Sequence, residues 1–209
     1  MANLSYKTIV KPVEGVFKDK GSKFLAFGYP VADEHEIREI LLQLRKEYFD
    51  ARHHCYGWIL GPDRKKFRAN DDGEPNHSAG DPILGQIRSR NLTNVLVVVV
   101  RYFGGVKLGV GGLITAYKTA TADALEKAAI VEKEVQVEMM LTYRYDATPE
   151  AMRLIRDFDL HIIHQDFADA CCVHLAVALR HKKSLEEKVS LLQAVGVEIR
   201  IAITQTPEQ

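Results

Sequence analysis

The period of the apolar and polar positions changes several times along the chain, and each change marks an element. From Tyr6 to Phe17 and from Lys23 to Val31 the pattern is extended, with the turn signal Lys18-Asp19-Lys20-Gly21-Ser22 between, which predicts an opening β-hairpin. Asp33 then stands as a helix N-cap with Glu36 at capping-box spacing, and Ile37, Ile40, Leu41, Leu44 and Tyr48 recur on one helical face. His54, Tyr56, Trp58 and Leu60 alternate with Cys55, Gly57 and Ile59 in a strand that stops at Gly61-Pro62-Asp63, and Lys66 to Ala69 predicts a further short strand. Asn70 to Asp81 is a polar loop, after which Pro82 suits the first turn of a helix running to Arg90. The unbroken valines of Asn94 to Arg101 predict a central strand covered on both faces. Gly104 to Gly112, with five glycines, is predicted to be irregular and to feed a small-residue helix over Leu113 to Ala129. These elements make a mixed sheet with helices.

The pattern restarts at Val135, where Val137, Met139, Leu141, Tyr143 and Tyr145 share its face of a strand. Thr148 as N-cap and Pro149 at N1 open a helix to Phe158. Leu160 to Phe167 and Ala170 to Arg180 read as strands joined by a tight turn, Ser184 with Glu187 as a capping box for a helix to Val195, and Val197 to Ile203 as the last strand. The order strand, helix, strand, strand, helix, strand is ferredoxin-like. The predicted fold class is therefore α+β in two domains, residues 1–132 and 133–209, with a short charged boundary at Glu132 to Glu134.

Composition narrows the function classes. At 209 residues and 46% hydrophobic the chain is ordinary globular protein, and its 28 basic and 28 acidic side chains cancel, so any attraction for nucleic acid or another anion must be local. Three cysteines, Cys55, Cys171 and Cys172, are too few and too oddly spaced for a disulfide framework or a zinc knuckle, which fits a reducing compartment. Met1 to Val10 lacks the features of a signal peptide, and the longest apolar run falls far short of the ~20 residues that span a bilayer. The expectation is a cytoplasmic protein with no membrane contact.

Two stretches carry candidate chemistry. Asp71-Asp72-Gly73-Glu74-Pro75 crowds three carboxylates, which need something to offset their repulsion: water around a turn, a divalent cation, or a pairing with Arg101, Arg68 or Lys107. Asp71, Asp72 and Glu74 are thus the catalytic and the metal candidates. In the stretch Arg101 to Leu113 a strand runs through glycines into a helix, whose free N–H groups favour an anion. Arg101, Lys107, Gly109, Gly111 and Gly112 are the anion-binding candidates, although neither a Walker nor a Rossmann spacing is present. His53, Cys55, His77 and Tyr102 are candidate pocket residues. His53 and His54 point to opposite faces of a strand, and Cys55 has no evident activating partner. Basic residues cluster at Lys18, Lys20 and Lys23, at Arg64, Lys65, Lys66 and Arg68, and at His181, Lys182 and Lys183.

Asp50-Ala51-Arg52-His53-His54-Cys55, Asp71 to Pro75, Ala79-Gly80 with Pro82-Ile83-Leu84, and Val99 to Leu113 with Ala116-Tyr117 together resemble the IMPACT family over nearly the whole chain. The resemblance implies an N-terminal α/β sandwich like the second domain of a small-subunit ribosomal protein, and a C-terminal domain like the last domain of elongation factor G. Both similarities point to RNA or ribosomes. Eukaryotic relatives restrain the kinase that stops translation initiation in the stress response to amino-acid starvation, through a separate partner-binding domain that this chain has no room for. Two departures stand out: Asn76-His77-Ser78 replaces the family's usual Ser-Gly-Thr, and Thr115 stands where a basic residue often precedes Ala-Tyr.

Three functions follow as expectations. The first is a regulatory protein of translation that binds RNA, the ribosome or a protein partner, with a phosphate on the glycine loop and a docking surface at Arg144, Arg200 and His181 to Lys183. The second is an enzyme acting on a phosphorylated or nucleotide substrate with a carboxylate-held divalent cation. The third is structural, with the acidic and glycine-rich loops converging in space and locked by an Arg101 carboxylate pair.

Overall fold

A computed structural model describes residues 3–167 and 170–204, and the chain divides into two units, Met1–Lys133 and Glu134–Gln209. The first unit is built on a five-stranded sheet: β2 (Val13–Asp19), β3 (Ser22–Pro30), β6 (Val95–Tyr102), β4 (His53–Leu60) and β5 (Lys66–Asn70), in that spatial order. Every pairing in it is antiparallel, which corrects the expected mixed sheet. The hairpin turn is tight because Lys20 and Gly21 both take positive φ, 44° and 79°, the geometry that follows the twist of its strands.

The predicted first strand breaks at Pro12, which has no N–H for a ladder. Its first half, β1 (Ser5–Ile9), leaves the sheet and pairs with β7 (Ile130–Glu134). The valine run of β6 lies at the centre as expected. Val95, Val97 and Val99 meet α2 (Gly80–Ser89) and α3 (Gly109–Glu126), while Leu96, Val98 and Val100 meet α1 (Glu34–Glu47). Asp33 caps α1 by accepting from the N–H groups of His35 and Glu36, and Glu36 reaches back to Ala32 N–H at 2.7 Å, one residue beyond the expected box. The helix α3 starts four residues before Leu113, so Gly109, Gly111 and Gly112 form its first turn rather than irregular chain.

The second unit is a four-stranded antiparallel sheet of β8 (Gln136–Tyr143), β9 (His161–Phe167), β10 (Cys171–Ala178) and β11 (Ile199–Ile203), in the order β11-β8-β10-β9. With α4 (Thr148–Asp157) and α5 (Leu179–Ala194) this is the ferredoxin-like arrangement. The turn between β9 and β10 falls partly on residues 168–169, outside the described residues. Both predicted caps shift. Thr148 is already helical, and its hydroxyl donates to Tyr145 O at 2.7 Å. Likewise α5 begins at Leu179, five residues before Ser184, and has no side-chain cap.

Candidate functional site: a cleft between the acidic and glycine-rich loops

On β6, Arg101 continues the row of Val95, Val97 and Val99, so it points to the α2/α3 side but at the rim of that layer, opposite Phe24 on β3 and His53 on β4. Its side chain is 7% exposed. Nη1 donates to Glu74 Oε1 at 2.6 Å, and the Tyr117 hydroxyl donates to the same oxygen at 2.7 Å; the Glu74 side chain is 4% exposed. The guanidinium carbon lies 5.4 Å from the Phe24 ring centre and 5.6 Å from that of Phe103, so two aromatic rings stand within cation–π distance. Arg101 Nε is buried with no hydrogen-bond partner among the described residues.

The other two carboxylates of the acidic loop turn away from Glu74. Asp71 caps α2: one oxygen accepts from Ala79 N–H at 2.9 Å and Gly80 N–H at 2.8 Å, the other from His77 N–H at 2.9 Å. Burial works to raise its pKa, but the hydrogen bonds from Gly80, His77 and Ala79 prevail and hold it below the usual value. Asp72 accepts from Arg45 Nη2 at 2.8 Å and from His54 N–H at 2.6 Å, and its carbonyl oxygen accepts from His53 Nδ1 at 2.8 Å. The three carboxylates therefore serve three different sets of donors. Among the described residues no three acidic, histidine or cysteine side chains are placed to share a metal ion.

Around the Glu74–Arg101 pair opens a cleft of about 400 Å³, lined also by Phe103, Lys107, Gly109 and Val110. Here the two loops converge. The first turn of α3 reaches the cleft at Gly109 and Val110, and no side chain caps it. Gly109 takes a φ of +71°, which admits the chain into the helix at this angle; a Cβ there or at Gly111 would meet nothing within 4 Å. Gly104 is different: its N–H donates to Ser22 Oγ at 3.1 Å, and a Cβ would fall 1.9 Å from the Gly21 carbonyl carbon. That contact seats the β2–β3 turn, with Lys18, Lys20 and Lys23, against the entry of the glycine loop.

Of the predicted site residues, Glu74, Arg101, Lys107 and Gly109 share the cleft, and Gly111 and Gly112 stand on its helix. The predicted pocket set does not join them. Tyr102 donates to Asp50 at 2.7 Å, and the exposed His77 ring pairs with Asp81 at 2.7 Å. Cys55 is fully buried, its one thiol proton shared between the Asp71 carbonyl at 3.0 Å and the Tyr117 hydroxyl at 3.3 Å. Burial pushes that thiol far above its ordinary pKa, which makes it a poor nucleophile. Arg68 stays exposed on the edge strand β5. The reading of the sequence missed Tyr117, Phe24 and Arg45 as members of the network. Tyr117 and Phe103 stood within quoted motifs, whereas nothing in its own stretch marked Arg45.

Of the expected C-terminal docking surface, Arg144 and Arg200 line one cavity, and His181 to Lys183 do not join them. Arg200 alternates with the buried Ile199 and so lies on the open side of its sheet, while His181 to Lys183 belong to α5, which packs on the other. Lys182 pairs with Glu186, Lys183 with Glu187, Arg180 with Glu134, and Arg144 with Asp146 and Glu198, so neighbouring acids balance these charges.

The Impact N-terminal domain profile matches residues 20–125. The chain belongs to the IMPACT family. It is 33% identical to the IMPACT family member YigZ of Escherichia coli over 86% of this chain and 88% of that protein. Against the family member YvyE of Bacillus subtilis the identity is 36%, over 63% of this chain and 60% of that one. A crystal structure of a hypothetical protein superposes on 97% of this chain and 98% of its own with a TM-score of 0.75 and 27% identity. The two-domain translational regulator Yih1 covers 58% of this chain and 47% of its own, at 26% identity and a TM-score of 0.35, too low for that superposition to carry weight. The IMPACT resemblance places a glycine at His77, and the backbone there still takes φ +64°, the left-handed region that favours glycine.

Proposed function

We propose that this IMPACT protein is a translation-associated regulator that binds RNA or the ribosome by holding phosphate at the cleft. One observation carries the reading: the uncapped N-terminal turn of α3 opens there beside Lys107 and the buried Arg101. Uncapped N–H groups and the positive end of the helix dipole attract an anion, and glycines keep the approach clear. The formal charges of the lining, Glu74 against Arg101 and Lys107, leave one positive charge over. Of the basic hairpin, Lys18 and Lys23 alternate with Phe17 and Phe24 and so point to the α1 side of the sheet, away from the cleft. Three free cysteines suit a reducing cytoplasm, and no helix among the described residues is long and apolar enough to cross a membrane. Family membership directs the proposal to translation, as the eukaryotic resemblance implies. An enzyme built on the acidic loop gains less support, because protein donors already engage Asp71, Asp72 and Glu74.

Filter binding of RNA at rising salt tests this. Affinity should fall steeply with salt, and Lys107→Ala should lower the slope by about one. Absence of a salt-sensitive signal at low ionic strength, or a variant indistinguishable from the parent, removes the proposal.

A further inference from the structure

A phosphate explains only one side of the cleft. The other is apolar: Val110 and Leu113 line it, and Phe103, which a phosphate has no use for, is 55% exposed. The Arg101 guanidinium carbon lies 5.4 Å from the ring centre of the fully buried Phe24 and 5.6 Å from that of Phe103. Phe103 is thus an exposed ring within cation–π distance of a buried guanidinium. Nucleic-acid bases stack on aromatic rings and on guanidinium planes whatever their sequence. Arg101 Nε adds a donor with no partner among the described residues, on a side chain that is 7% exposed and lines the cleft. A cavity of about 400 Å³ sits at the small end of ligand sites and suits one nucleotide rather than two.

From these features we infer that the cleft takes a single unstacked nucleotide, its base laid on Phe103 and its phosphate on Lys107 and the first turn of α3. The inference rests on the phosphate-binding reading and specifies the ligand. It places a nucleobase, not an apolar peptide side chain, against Phe103, because the anion site beside the ring supplies the partner that a phosphate on the same nucleotide would meet. Phe103 directly follows β6 and Gly109 opens α3, so the ring and the helix turn belong to one short connection, and both line the cleft.

Binding of two single-stranded hexaribonucleotides of equal charge, one of adenines and one abasic throughout, tests it on the full chain by fluorescence anisotropy. The base-bearing strand should bind about tenfold more tightly. Phe103→Leu should erase that difference by weakening the adenine strand and leaving the abasic one unchanged. Because Phe103 is exposed, the thermal midpoint should not move, and checking it excludes a folding defect. Equal affinities, or a Phe103→Leu protein that still prefers bases, overturn the nucleotide assignment while a salt-dependent signal from both strands keeps the phosphate reading. Failure of both strands to bind removes the phosphate reading itself. Displacement by free AMP but not by ribose 5-phosphate would extend the same chemistry to a small nucleotide, and lack of displacement by either would confine it to a strand.

Discussion

Removing the charge of Glu74 should destabilise the first unit through Arg101 rather than through any contact of its own. In Glu74→Gln the amide oxygen still accepts from Tyr117, whose hydroxyl lies 2.7 Å from Oε1, so packing and that hydrogen bond survive. What remains is a guanidinium 7% exposed with no counter-charge. Breaking such a buried pair from one side costs about 3–5 kcal/mol, and Arg101→Met, which strands the carboxylate instead, should cost a similar amount. For a unit of this size about 10–20 °C in Tm follows. The pair itself is close to neutral against apolar substitutes, because each ion gives up its water to be buried. The double variant should therefore lose no more than either single one, a coupling of at least about 3 kcal/mol. Urea denaturation followed by the chain's one tryptophan reads this unit specifically, since Trp58 lies in β4 and is 5% exposed. Singles that cost less than about 1 kcal/mol, or a double variant that loses the sum of the two, would refute the reasoning.

His54 is buried, and burial together with Arg45 lowers its pKa against the opposing pull of Asp72. The unfolded chain takes up the proton near about pH 6.5, so this contribution to stability is full above that value and is lost as pH falls through the lower folded pKa. Urea midpoints between about pH 5 and 8 should fall on acidification for the parent and less for His54→Phe, and equal profiles would count against it. His77→Gly should raise stability by up to about 1 kcal/mol, because φ +64° suits glycine, minus the little contributed by an exposed pair with Asp81; a Tm that drops by several degrees would contradict this. Gly104→Ala should fold poorly or lose several degrees of Tm, since its Cβ would meet backbone at 1.9 Å, whereas Gly111→Ala, with open space and an ordinary helical φ, should be tolerated.

Local signals gave reliable results wherever one short segment decided the outcome. The valines of β6 mark a strand buried from both sides, because alternate residues meet different helices, and Asp33 does cap α1. Long-range pairing was less legible. Nothing in Tyr6 to Phe17 says that the half before Pro12 prefers β7, a strand more than a hundred residues away. The start of α3 was misplaced because glycine propensity argues against a helix at Gly109, yet its first turn needs no intrahelical N–H bonds and tolerates the cost, whereas α5 begins five residues before its expected capping box with no side-chain cap to mark the place. The convergence of Glu74 with Arg101 was readable as a charge pair across a turn and a strand, one of several allowed. Which arginine it would be depended on the register that sets Arg101 at the rim of the α2/α3 layer.

An acidic loop would work against the proposed phosphate site if its charges faced the ligand, and the way those charges are distributed resolves the conflict. Repulsion matters only for carboxylates that face the ligand with their charge unmatched. Asp71 spends its two oxygens on three backbone N–H groups at the start of α2, and Asp72 answers Arg45 and His54 N–H. Glu74 alone reaches the cleft, where Arg101 and the Tyr117 hydroxyl share one of its oxygens. Its negative charge fixes a guanidinium at the end of β6 that would otherwise be too costly to bury, and that guanidinium in turn supports the ring of Phe103. On the proposed reading the acidic loop would act on an anion indirectly: it holds Arg101 in place, and Lys107 with the uncapped turn of α3 would be left to attract the charge. Exchanging Glu74 for Gln would consequently leave Arg101 without its counter-charge, so any gain in anion binding expected from charge alone should fail to appear in filter binding at low salt.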